Sequence, residues 1–164
     1  MKELSYFEAD IKAQKGVGNE FIAIGIVLLV VAIICHFYGE SSLTNGLKIG
    51  GIVCGLLILA GGIAYKNTEI KLLTTQTELF ETNPSEFKTI ETERMSKVVK
   101  DYPIYQVVFA AFIVLGILVV LLVKNPFWHG IAFAVMLLFV GVMISEAFSH
   151  RSIKTYNQYL IENQ

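Results

Sequence analysis

Charge is scarce in this sequence: Asp, Glu, Lys and Arg make up 16% of its 164 residues, against about a quarter in an average soluble chain. The shortage is local. Residues 21–35, 49–65 and 105–123 hold no Asp, Glu, Lys, Arg or His. Ionisable groups inside a bilayer mark ion pathways and proton relays, so their absence argues against a classical transporter or proton-coupled pump. The chain also lacks a Gly-rich phosphate loop, a zinc-ligand cluster and a nucleophile elbow, the motifs that announce common nucleotide, metal and acyl chemistry. Its formal net charge is -1 with mixed signs throughout, which excludes the clustered positive face that nucleic acid demands. The two cysteines, Cys35 and Cys54, lie inside apolar runs, where small apolar packing is their expected role. No cofactor and no enzymatic chemistry are expected.

What the chain does have is length of apolar sequence. Phe21 to Tyr38, Leu47 to Tyr65, Tyr105 to Val123 and Phe127 to Phe148 form four hydrophobic blocks. At about 1.5 Å per helical residue, some 20 residues cross a hydrocarbon core of about 30 Å. The expected fold is an all-α integral membrane protein with four transmembrane helices in two hairpins. Its segments are a helix over 1–20, a membrane hairpin over 21–65, a helical hairpin over 66–104, a second membrane hairpin over 105–148 and a helix over 149–164. The first block follows Glu3, Glu8, Asp10 and Glu20 and has no small-x-small cleavage site after it, so it reads as a retained anchor.

Orientation follows from Lys and Arg, which resist translocation beside a span. Eleven of them fall in the amino-terminal, central and carboxy-terminal segments, and only Lys48 and Lys124 fall on the other side. Both termini are therefore expected in the cytoplasm, in a plasma membrane or a bacterial inner membrane.

The segments outside the spans carry apolar stripes. Leu4, Phe7 and Ile11 precede a Gly16-Val17-Gly18 hinge; Ile70, Leu73, Thr77 and Phe80 extend the second span; Phe87, Ile90, Met95, Val98 and Tyr102 follow Asn83-Pro84; Ile153, Tyr156 and Leu160 follow the fourth span. Asn83 is placed to cap a helix begun by Pro84, with Glu86 at the capping-box position, and Pro103 is expected to break or kink that helix. A one-faced helix must bury its stripe, so a cytoplasmic helical bundle is expected beneath the membrane. Glu8, Lys12 and Lys15 recur as Glu93, Lys97 and Lys100, and Tyr65-Lys66 as His150-Arg151, at an offset of 85. These matches point to a parallel two-fold internal repeat.

Few residues carry candidate chemistry. Glu146, with His150 one turn later, is read first as an interfacial carboxylate that reaches water or pairs with Lys66 or Lys100, and second as a proton- or substrate-binding acid. His36, Glu40 and His129 on the outer side would suit a transition metal only if they converged; interfacial anchoring is the simpler role. Gly46, Gly50, Gly51, Gly55, Gly61 and Gly62 give the second span a small surface for close helix packing, within the chain or between copies as a homo-oligomer. Lys12, Lys15, Lys66, Lys71, Lys97, Lys100, Arg151 and Lys154 form an expected ring at the inner headgroups. The function expected from all this is a non-enzymatic anchor or interaction platform, with the lipid bilayer and a cytoplasmic protein as partners. An oligomeric pore or membrane-perturbing protein is the alternative, and a small membrane enzyme using Glu146 with His150, or His36 with His129, the second.

Overall fold

A computed structural model describes residues 2–162, with the side chains of Lys2 and Glu3 outside the description along with Met1, Asn163 and Gln164. Lys2, counted above for orientation, therefore falls outside the described side chains. Four helices follow one another with almost no loop between them: α1 (Lys2–Tyr38), α2 (Ser42–Thr82), α3 (Pro84–Leu122) and α4 (Pro126–Glu162). The 37 residues of α1 reach about 56 Å at 1.5 Å per residue, well beyond a hydrocarbon core of about 30 Å. All four helices are long and apolar enough to cross a membrane, and each continues past its apolar block.

Two expected interruptions are absent. Helix α1 runs unbroken through Gly16-Val17-Gly18, where Val17 and Gly18 are buried and Gly18 lies against Gly62 and Lys66 of α2. Helix α3 runs through Pro103 without a break. Each membrane block and its polar extension are therefore one continuous rod, not two elements.

The turns are set by caps. Ser41 accepts from the Thr44 amide at 3.2 Å and starts α2, so the helix begins five residues before the apolar block at Leu47. Asn83 Oδ1 accepts from the Glu86 amide at 3.4 Å, and its Nδ2 donates to Glu86 Oε2 at 2.9 Å. Pro84 occupies the first turn, where a missing amide donor costs nothing. Asn125-Pro126 repeats the device, with Asn125 Oδ1 accepting from the Phe127 amide at 3.0 Å. Short turns make neighbours antiparallel, which brings both ends of the chain and the Asn83 turn to one end of the molecule.

Helices α2 and α4 form the spine. Gly46 of α2 meets the Phe127 backbone and Gly130 of α4 meets the Leu43 and Leu47 backbones, while Gly50 faces Ile131 and Ala134. Helix α1 packs on the other side of α2, where Gly51 touches Leu28 and Ala32, Gly55 touches Gly25 and Leu29, and Gly62 touches Gly18, Phe21 and Ile22. Small residues let backbones approach where lipid gives no hydrophobic drive. Helix α3 leans on α4 through the stacked rings of Phe112 and Phe139, 4.5 Å apart, and through Gly116 against Met136. No Cα atom of α1 comes within 8 Å of one of α3.

At the end holding both termini, the apolar stripes close on one another. Phe7, Ile11, Phe87, Met95, Ile153, Tyr156 and Leu160 form a buried cluster with Leu72, Leu73, Leu79 and Phe80 packed against it. Phe87 sets its edge against both Phe7 and Phe80, a favoured aromatic geometry.

Candidate functional site

The polar groups that the helices bury are not those that stand out in the sequence. Asp10 and Glu91 are fully buried, and Gln14, Glu69 and Gln76 nearly so. Each sits on or beside an apolar stripe: Glu91 falls one turn after Phe87 and one before Met95, and Asp10 precedes Ile11. When the stripes close, the acids are carried inside with them. The signal that could have found them is an acid interrupting a helical stripe, as Glu91 does at four-residue spacing between Phe87 and Met95.

Arg94 holds two of these acids. Its Nε donates to Glu91 Oε2 at 2.8 Å and its Nη2 to Glu91 Oε1 at 2.6 Å, the two-pronged pairing that a planar guanidinium favours. Nη2 also reaches Asp10 Oδ2 at 3.4 Å, while Asp10 Oδ1 has no hydrogen-bond partner. Burial pushes the Asp10 carboxyl up to about 6; Arg94 opposes the rise and Glu91 adds to it. Burial also works against the Arg94 charge, yet the hydrogen bonds and charge of Glu91, with Asp10 and Glu69 beyond, hold it above its ordinary value. The Tyr156 hydroxyl is buried without a partner, and burial followed by the charge of Glu91 raises its pKa.

Beside this network lies a cavity of about 420 Å³, walled by all four helices at the level where the apolar blocks end. Gln14 and Phe21 come from α1, Tyr65 and Glu69 from α2, Arg94, Tyr102, Tyr105 and Phe109 from α3, and Glu146 from α4. Tyr65 donates to Gln14 Oε1 at 2.5 Å. Glu69 is 8% exposed, and its Oε2 is buried with no partner. Burial raises the Glu69 pKa, Arg94 opposes, and Asp10 and Glu91 reinforce. With Arg94 already held by Glu91 and Asp10, the cavity faces more carboxylate than cation. Glu69 and Glu146 put two carboxyl groups among a lining rich in aromatic side chains.

The residues singled out from sequence are scattered. Glu146 is half-buried on the cavity wall, but among the described residues no cation forms a salt bridge with it: Lys66 donates instead to Asn19 at 3.0 Å, and Lys100 is exposed. The expected pairing with Lys66 or Lys100 is thus replaced by a cavity position. His150 stacks on Tyr102 with centroids 3.6 Å apart, and burial, then Lys154, lowers its pKa. His36 is exposed with its ring against Phe37, Glu40 is exposed in the turn, and His129 turns to the Val123 carbonyl. The described residues contain no group of three or more His, Cys, Asp or Glu able to hold a metal ion. Five of the six glycines named on α2 meet a neighbouring helix; Gly61 faces open space and packs against nothing. Lys12, Lys71, Lys97, Lys100, Arg151 and Lys154 are exposed, and Lys15 and Lys66 partly so. Cys35 and Cys54 are buried and unpaired.

No protein-family model, curated protein or solved structure matches the chain.

Proposed function

We propose that this is a non-enzymatic, four-span membrane protein whose bundle outside the membrane lies in the cytoplasm and serves as an anchored interaction platform. The single observation carrying this reading is continuity. Each helix passes without interruption from an apolar block into the closed cluster around Phe87 and Tyr156, so the bundle is a preformed body held rigidly to its anchor. The excess of Lys and Arg flanking that end supports its cytoplasmic orientation. Because the apolar stripes are spent mainly on one another, with Ile70 and Ile90 left exposed, a protein partner meets an outer surface that is mostly polar. A duplicated origin has partial support in the turn boundaries, 38 and 42 against 122 and 126, which repeat at an offset of 84, one short of the 85 that relates the residue matches.

A pore assembled on the glycine face is less favoured, because five of those glycines already contact α1 or α4 of the same chain. The test is the double change Phe80→Ser with Phe87→Ser, which strips two large side chains, each contributing about 1.5 to 3 kcal/mol when buried. The spans should still insert. The Asn83 hairpin should become protease-sensitive, and a cytoplasmic partner recovered with the native chain in mild detergent should be lost. A variant that is protease-sensitive yet fully active moves the function to the membrane half and overturns the platform reading.

A further inference from the structure

The cavity has properties that a platform does not require. Glu69 is buried there with one carboxylate oxygen unpaired, an arrangement that costs free energy unless something compensates it. Glu146 also lines the cavity without a salt-bridge partner, and Arg94, the cation in the lining, is already engaged by Glu91 and Asp10. Five aromatic residues, Phe21, Tyr65, Tyr102, Tyr105 and Phe109, belong to the lining, with Val98, Val142 and Ile153 among the rest. Aromatic faces attract cations through their quadrupole, most strongly for organic cations that shed water easily. An anion would meet two carboxylates. A small hard metal ion would need several oxygen or nitrogen ligands, and no such group exists among the described residues.

We propose that this cavity binds a hydrophobic organic cation, an amine or quaternary onium centre carried on an apolar body, with Glu69 and Glu146 matching its charge. A volume of about 420 Å³ lies in the ordinary range for such ligands. Its level matters too. Tyr65, Tyr105 and Glu146 stand at the ends of apolar blocks, so the cationic centre would sit at the polar end and the apolar body toward the membrane half. No Cα atom of α1 comes within 8 Å of one of α3, and the cavity takes its walls from both of these helices together with α2 and α4. The same onium chemistry is available from water as a free organic cation and from the bilayer as a choline headgroup.

Protons compete with such a ligand for Glu69. The groups around it are Asp10 and Lys15 from α1, Tyr65 on its own helix, Glu91 and Arg94 from α3, and Glu146 of α4 in the lining of the same cavity. Burial already favours the protonated carboxyl, so affinity for a cation should fall as pH is lowered.

The experiment uses the full chain in nonionic detergent and two probes of matched shape and opposite charge, tetraphenylphosphonium and tetraphenylborate, followed by equilibrium dialysis. Phosphonium should bind saturably at one per chain, and borate should not. Glu69→Gln and Glu146→Gln should each weaken phosphonium at least about tenfold, as loss of a desolvated charge partner implies, and should flatten the pH dependence. Both variants remove a buried charge without changing shape, so folding is retained; helical circular dichroism and a monodisperse elution profile check this. Displacement of the probe by phosphatidylcholine but not phosphatidylglycerol assigns the bilayer source, and absence of displacement assigns a soluble cation. Equal uptake of both probes, no saturable phosphonium binding by the folded chain, or unchanged affinity in both Gln variants overturns the proposal. None of these readouts depends on a protein partner, so its failure leaves the platform reading standing.

Discussion

Arg94 of α3 donates to Asp10 of α1 at 3.4 Å, although the Cα atoms of these two helices nowhere come within 8 Å. One long side chain, anchored by its two bonds to Glu91, thus links helices on opposite sides of the α2–α4 spine. Removing it leaves two fully buried acids without their cation.

Arg94→Met should therefore destabilise the fold by about 3 kcal/mol, the order seen when one member of a buried ion pair is removed. Arg94→Lys should recover only part of the loss, since an ammonium cannot reproduce the two-pronged contact with Glu91. Thermal unfolding in detergent measures both. Native stability in Arg94→Met would show that the network does not hold the bundle.

Stability should depend on acid through Asp10. Its pKa is raised from 3.8 to about 6 in the folded chain, so the folded state binds that proton more tightly than the unfolded one. The contribution is fully present below about pH 4 and is lost as pH rises toward 6, by roughly 3 kcal/mol for a shift of this size. Glu69, shifted in the same direction, adds to the trend. Denaturation midpoints between pH 4 and 7 should fall with pH, and Asp10→Asn should reduce the slope.

Glycine substitutions on α2 should divide sharply by position. A Cβ at Gly55 would meet Leu29 at 2.9 Å and the Gly25 carbonyl oxygen at 3.0 Å, whereas one at Gly61 meets nothing within 4 Å. Gly55→Leu should lower stability by about 1 to 3 kcal/mol or more, the cost of overpacking. Gly61→Leu should leave the unfolding temperature unchanged. Equal effects at the two sites would contradict the α1–α2 contact.

Orientation can be read with single cysteines in a chain lacking Cys35 and Cys54. Ser42 and Lys124, both exposed at the short-turn end, should react with an impermeant thiol reagent outside intact cells, and exposed Ser85 should not. Lys124 is preferable to Asn125, whose side chain caps α4. Labelling of Ser85 alone would invert the assignment.

Several elements were legible because their causes are local. The Asn83-Pro84 turn follows from a capping side chain and an imino acid at the first helical position, and both lie within four residues. Asn125-Pro126 carries the same signal and is equally readable. The small surface of α2 was also visible, but its division was not: Gly46 and Gly50 serve α4 while Gly51 and Gly55 serve α1. One residue turns a helix by about 100°, so adjacent glycines address different neighbours, and which neighbours depends on the packing order. An interruption at Gly16 to Gly18 was expected from local propensity, and there Gly18 packs on Gly62 and Lys66 of α2 within an unbroken helix; α3 likewise continues through the exposed Pro103.

The sequence by itself determined that four apolar spans exist, where the Asn83-Pro84 turn falls and which stretches avoid water, because hydrophobic length and capping act over neighbouring residues. Tertiary structure alone decided the fate of the polar groups. Asp10, Glu69, Glu91 and Arg94 lie far apart along the chain and look like ordinary charges on amphipathic helices. They become a buried network and a cavity wall only when four separate rods bring them together, and the free energy of a charge depends on what surrounds it rather than on its neighbours in sequence.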